Sequence, residues 1–227
     1  MTDRPIAILF ALFPGVTQLD FTGPHQVFSR LPGVSVTVAS LEGVPIEADG
    51  LTFAGLARLT DIDRCDVLCV PGGAGTSAAM LDVAFLEEIR RLAASARYLT
   101  SVCTGSLILG AAGLLKGKRA ASHWAARELL AEFGAMPDPG RVVRDGNLIT
   151  GGGVTAGIDF ALVLAAELAG AETAQAIQLA LEYAPAPPYD AGRPETAPNA
   201  ILGMAERRMA DMAAARRAAV KTAAARL

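Results

Sequence analysis

The sequence predicts an α/β domain: a mostly parallel sheet with helices on both faces. Three observations carry that expectation. Short β-branched runs alternate with segments of helical periodicity, the pattern of strands joined by crossover helices. Two of the runs lead directly into glycine-containing turns followed by small-residue helical segments. The length, 227 residues, suits one large α/β domain with a well-buried core.

The elements follow in order. Ile6 to Leu12 reads as the first strand, and Pro24 suits the first turn of the helix after it, leaving Asp20 in the loop between. Further strands are expected at Val34 to Ser40, Val67 to Val70, Tyr98 to Val102, Arg119 to Ser122 and Leu148 to Thr150. Asp49-Gly50 and Asp145-Gly146 lie between extended runs. Asp-Gly supplies positive φ, so two small antiparallel hairpins should decorate the sheet. Phe85 to Ala96 sets Phe85, Ile89 and Leu92 on one helical face with charges elsewhere, and should cover the sheet. Gly151-Gly152-Gly153 follows a strand and opens a helix with Thr155 as its cap. Coming late in the chain, it suits close backbone packing rather than a dinucleotide. From Ala184 a proline-rich stretch wraps the surface, and Asn199 to about Arg226 forms a last helix. Residues 1–198 are therefore one α/β domain. Residues 199–227 are a terminal helix that docks Ile201, Ala205, Met209 and Met212 on the same domain or a partner, with no part in the chemistry.

Composition excludes several classes. With 52% hydrophobic and 19% charged residues the chain is neither disordered nor a solvating tail. A net charge of −3 gives no general argument for nucleic acid or an anionic membrane. The terminal helix does hold six basic and two acidic side chains, which leaves −7 on the body. No apolar run approaches the ~20 residues that span a bilayer, and Met1-Thr2-Asp3-Arg4 does not begin a secretory signal. The expected location is cytoplasmic. Cys65, Cys69 and Cys103 are an odd number, against a disulfide framework.

Cys103 stands out. The strand Tyr98 to Val102 runs into it, Gly105 follows, and an apolar helix starts at once. This is the strand-nucleophile-helix pattern of a nucleophile elbow, and the helix N-terminus should depress the thiol pKa. A cysteine closing a buried strand can also be a small hydrophobe. Val67 to Val70 ends in Pro71-Gly72-Gly73, whose amides either cradle a developing charge or simply make a tight turn. Asp20 lies at another strand end, where burial would raise its pKa and suit it to proton transfer; bracing the loop is the alternative. His123 either lines the crevice or is satisfied in the core, and His25 reads as structural. Cys65 and Cys69 have no adjacent histidine or second cysteine pair, so no metal site is expected.

At these residues the chain resembles the ThiJ/PfpI superfamily, and within it the isocyanide-hydrating branch. The resemblance is carried by Leu19-Asp-Phe-Thr-Gly-Pro-His25, Pro71-Gly-Gly73, Thr100 to Lys118, His123-Trp124, Arg141 to Asp159 and Leu181 to Gly192. It implies a flavodoxin-like, class I glutamine-amidotransferase-like fold and a homodimer. By position it implies Cys103 as nucleophile, Asp20 as essential acid and Thr104 as a hydroxyl beside the sulfur. Relatives that are proteases or glyoxalase-like commonly have His after the nucleophile, where Thr104 stands here. Regulators that share several of these pieces add a DNA-binding domain, whereas 29 residues remain after Pro198 and read as one helix, so DNA binding is not expected.

The activity implied is hydration of R–NC to the N-substituted formamide through a Cys103 thioimidate, without metal or cofactor. Gly72, Gly73 and Thr104 amides would hold developing charge, with His123 at the pocket. Redox sensing through the same thiol and metabolite sensing in the same pocket are the alternatives.

Overall fold

The computed structural model describes residues 4–227, so the reading of Met1-Thr2-Asp3 as a start without a secretory signal lies outside the described residues. The chain runs β1 (Ile6–Leu12), α1 (Gln18–Phe28), β2 (Val34–Ser40), β3 (Ile46–Ala48), β4 (Leu51–Phe53), β5 (Ala57–Arg58) and β6 (Val67–Val70). It continues through α2 (Thr76–Ala79), α3 (Val83–Ser95), β7 (Tyr98–Val102), α4 (Gly105–Ala111), β8 (Arg119–Ala120), β9 (Met136–Pro137), β10 (Val142–Asp145) and β11 (Leu148–Gly151). Three helices close it: α5 (Ala156–Ala169), α6 (Ala171–Ala180) and α7 (Asn199–Ala224).

Seven strands form the main sheet in the order β10-β11-β7-β6-β1-β2-β5. Every neighbouring pair is parallel except β10 with β11. The central strands β6 and β7 are buried along their whole length, as strands covered on both faces must be. Phe10 of β1 meets Phe21 and Phe28 of α1 at 6.5 and 6.2 Å, and Phe28 meets Phe160 of α5 edge-on at 5.9 Å. Asp82 caps α3 by accepting from Phe85 N at 3.1 Å, and the helix buries Phe85, Leu86, Ile89 and Leu92.

Chain order places the switch point between β1 and β6, because β2 lies to one side of β1 and every later parallel strand but β5 to the other. The carboxyl ends of β1, β6 and β7 therefore open on one crevice, and Asp20, Gly72 and Cys103 all follow those ends.

Several expectations are corrected. The helix α1 starts at Gln18, so Asp20 lies in its first turn and Pro24 inside it. Pro24 forfeits one backbone bond, which is offset by packing on Gly157 of α5, where an added Cβ would lie 3.1 Å from Pro24 Cδ. Arg119 to Ser122 does not join the main sheet. Only Arg119–Ala120 is extended, paired with Met136–Pro137, because Ala121 N bonds the Thr150 hydroxyl at 2.8 Å instead of a strand backbone. The Asp49-Gly50 hairpin stands apart as expected, but the Asp145-Gly146 hairpin supplies the antiparallel edge of the main sheet itself. Thr155 makes no cap bond; its hydroxyl accepts from Arg141 at 3.2 Å.

The terminal helix is also seated differently from its sequence pattern. Its buried residues are Arg216, Ala219, Val220 and Ala223, while Ile201 is exposed and Ala205, Met209 and Met212 are half-buried. The small side chains of Ala219 and Ala223 let the second half of α7 approach α2, α4 and the 3-10 turn Arg127–Phe133. Among the described residues no helix is long and apolar enough to cross a membrane.

Candidate functional site

The strand β7 delivers Cys103 to the crevice in the left-handed region, φ 56°, a conformation that costs a non-glycine residue ~1–3 kcal/mol. Three hydrogen bonds hold it there. Cys103 N donates to Gly151 O at 3.0 Å, and the Cys103 carbonyl accepts from Ser106 Oγ at 3.2 Å and Ser122 Oγ at 3.1 Å. The sulfur's residue is only 5% exposed.

Asp20 is fully buried beside it. Its Oδ2 accepts from Gly72 N at 2.9 Å, while Oδ1 has no well-formed hydrogen-bond partner among the described residues. Carboxyl and thiol are near enough for each to influence the other's ionisation. Burial pushes the Asp20 pKa up to about 7, with Asp49 adding to the rise and the Gly72 amide and the thiol opposing it. The Cys103 thiol is pushed far up as well, by burial first and the Asp20 carboxylate second. The amide and hydroxyl of Thr104 and the Arg216 guanidinium pull it down, but by less. The expected depression of the thiol pKa is therefore corrected: α4 is short, and desolvation outweighs its terminal amides. Burial thus disfavours the charged form of both members of the pair.

Gly72 and Gly73 are also reassigned. Neither amide is free to cradle charge, since Gly72 N is spent on Asp20 and Gly73 N donates to Thr104 Oγ1 at 3.1 Å. The turn's chemistry is close approach. An added Cβ on Gly72 would lie 2.5 Å from Thr104 N and 2.6 Å from Thr104 Oγ1. Thr17 N donates to Gly72 O at 2.8 Å, fastening the turn to the start of α1. The Thr104 hydroxyl pairs with Thr76 Oγ1 of α2 at 2.8 Å and is near enough to the sulfur to favour its charged form.

His123 is partly buried and kept neutral by burial first and by Arg216 second. Its Nδ1 accepts from Ala125 N at 3.3 Å, which leaves the ring proton on Nε2. With Ser122, Trp124, Arg127, Gly152 and Gly153 it lines a cavity of about 220 Å³, whose lining does not include Cys103 and is tied to it through the Ser122 hydroxyl. His25 packs on Phe10 at 6.0 Å, away from these groups. Cys65 and Cys69 are core residues with thiols raised to about 12 by burial, and Cys69 Sγ accepts from Thr100 at 3.0 Å. Four residues escaped the sequence reading: Ser106, Ser122, Thr76 and Arg216. Ser122 adjoins the conspicuous His123, but nothing local to Arg216 ties it to Cys103. Arg216 Nη2 donates to Gly73 O at 3.2 Å, so the terminal helix does reach the site.

The model of the DJ-1/PfpI family matches residues 6–167. The chain belongs to the DJ-1/PfpI family. Among DJ-1/PfpI proteins it is 54% identical over 223 residues to isonitrile hydratase of Pseudomonas putida, covering 98% of each chain. It is 34% identical over 175 residues to protein dj-1beta of Drosophila melanogaster, covering 74% of this chain and 92% of that one. The crystal structure of a ThiJ/PfpI family protein from Pseudomonas syringae superposes with a TM-score of 0.91 at 43% identity, covering 97% of this chain and 91% of that one.

Proposed function

We propose that this DJ-1/PfpI protein is an isocyanide hydratase, converting R–NC and water to the N-substituted formamide. The observation that carries the reading is a buried Cys103–Asp20 pair, in a chain 54% identical over nearly its full length to isonitrile hydratase of Pseudomonas putida.

The terminal carbon of an isocyanide accepts a nucleophile and a proton at the same atom. The pair supplies both. As Cys103 Sγ bonds the carbon, Asp20 carboxylate takes the thiol proton and returns it to that carbon, giving the thioimidate R–N=CH–S. Water then adds to the carbon with proton transfer to nitrogen. Collapse breaks the C–S bond, releases R–NH–CHO and restores the thiol. Thr104 steadies the sulfur through its amide and hydroxyl, Gly72 N orients Asp20, and Ser106 and Ser122 fix the elbow. Gly73 supports Thr104, and His123 is a polar wall of the cavity that Ser122 shares.

These steps need neither metal nor cofactor. We place the enzyme in the cytoplasm, where Cys103 stays reduced, as a homodimer in which residues 1–198 and the helix 199–227 work as one unit without nucleic acid or membrane. The redox-sensing alternative fits less well, because oxidation needs access and Cys103 is only 5% exposed.

Incubation with an aryl isocyanide, read out as formamide by mass spectrometry, tests the reading. Wild type and a chelator-treated sample are expected to turn over, Cys103→Ala to be inactive and Cys65→Ala to retain activity. Absence of formamide with wild type, or equal turnover by Cys103→Ala, would overturn it.

A further inference from the structure

Arg216 sits 113 positions after Cys103 in the chain and is 5% exposed, although the other basic residues of α7 face solvent. Its Nη2 holds the Gly73 carbonyl at 3.2 Å, and its Nε has no hydrogen-bond partner among the described residues. The same guanidinium is near enough to act electrostatically on both Cys103 and His123. Burial opposes its charge, and the group that favours that charge is Cys103. Burying a guanidinium is costly unless an anion faces it. The anion that forms at this spot is the Cys103 thiolate.

The anchoring is also mechanical. Gly73 N holds Thr104 Oγ1, and the preceding Gly72 N holds Asp20 Oδ2, so one turn positions both partners of the sulfur. Arg216 grips that turn from its other side through the Gly73 carbonyl.

We propose that Arg216 is a positioning residue of the Cys103 centre, by which α7 pins the Gly72-Gly73 turn and sets a fixed positive charge beside the sulfur as it ionises. The proposal deepens the hydratase reading, since the thiolate it supports is the attacking form. It gives the terminal helix a role in chemistry beyond packing.

The test uses full-length protein and the variants Arg216→Met, Arg216→Gln and Arg216→Lys, with the exposed Arg217→Met as control. Gln keeps a donor for Gly73 O without the charge; Lys keeps the charge. Two readouts are taken: kcat and KM for an aryl isocyanide, and the pH dependence of Cys103 alkylation by iodoacetamide, mapped by peptide mass. The titratable and charged groups facing the sulfur are Asp20 and Arg216, with His123 and Asp49 one step away. Met is expected to lower kcat roughly 10- to 100-fold with KM within a few-fold, and to move the alkylation midpoint to higher pH. Lys should recover part of both, Gln should keep the raised midpoint, and Arg217→Met should match wild type. If Met fails to fold, Gln and Lys carry the comparison. An unmoved alkylation profile in folded Met or Gln protein, or a kcat loss that merely follows the thermal midpoint, would overturn the proposal. Alkylation needs no isocyanide. A wild type that makes no formamide therefore refutes the hydratase reading alone, and the alkylation profiles still decide the role of Arg216.

Discussion

For Asp20, burial makes ionisation a cost to the fold. Its folded pKa is about 7 against an ordinary 3.8. Between those values the native state holds a proton that the unfolded chain has released, so stability falls as pH rises across that window, and the full penalty stands above it. Asp20→Asn is therefore expected to raise the thermal midpoint by several degrees at pH 8 and to leave it nearly unchanged at pH 4. The same variant should lose roughly 10²–10⁴-fold in kcat, since an amide cannot cycle the proton. In wild type, activity should climb as pH passes through about 7 and Asp20 becomes the base that accepts the thiol proton. Thermal melts and pH–rate profiles check all three. Near-normal turnover by Asp20→Asn would reduce Asp20 to a brace. Both residues of the pair were legible as chemistry-bearing types at strand ends. The direction of the Cys103 shift was not, because it depends on burial by distant elements rather than on its own helix.

At the scale of elements, the turn from Pro71 to Gly75 links three parts of the chain. Its backbone meets the β1–α1 loop through Thr17 N and Gly15, the elbow through Thr104 and the terminal helix through Arg216. Gly72→Ala would set a methyl 2.5 Å from Thr104 N, and relief requires moving the turn that orients Asp20. The expected result is a loss of roughly 1–3 kcal/mol in stability with at least a tenfold drop in kcat, seen by denaturant titration and steady-state kinetics. Wild-type behaviour on both counts would show that the close approach is not needed. Sequence pattern revealed the glycines and the strand that leads into them. It suggested free amides, because the spacing of Pro-Gly-Gly says nothing of which acceptors the fold brings to them. The elbow was clearer: Gly105 directly after Cys103 and Thr104 already demanded a sharp turn, and the φ of 56° at Cys103 meets that demand.

Across the molecule, the order of alternating elements was enough to foresee a parallel sheet, and the sheet order puts its switch point where the conspicuous residues lie. What pattern did not reveal comes from long-range packing. The apolar stripe near the start of α7 read as its docking face, yet the residues that reach the body are Arg216, Ala219, Val220 and Ala223. An alanine-rich helix can dock closely without a large apolar stripe, and a buried arginine carries no periodic signal. The proposed mechanism rests on one central claim: Cys103 attacks the isocyanide carbon and holds it as a thioimidate. Acid-quenched turnover with an aryl isocyanide, followed by intact-mass measurement and peptide mapping, tests this most directly. A mass increase equal to one isocyanide on the Cys103 peptide of wild type, absent from Cys103→Ala, is the expected result. An adduct on another residue, or formamide production that persists in Cys103→Ala, would contradict it.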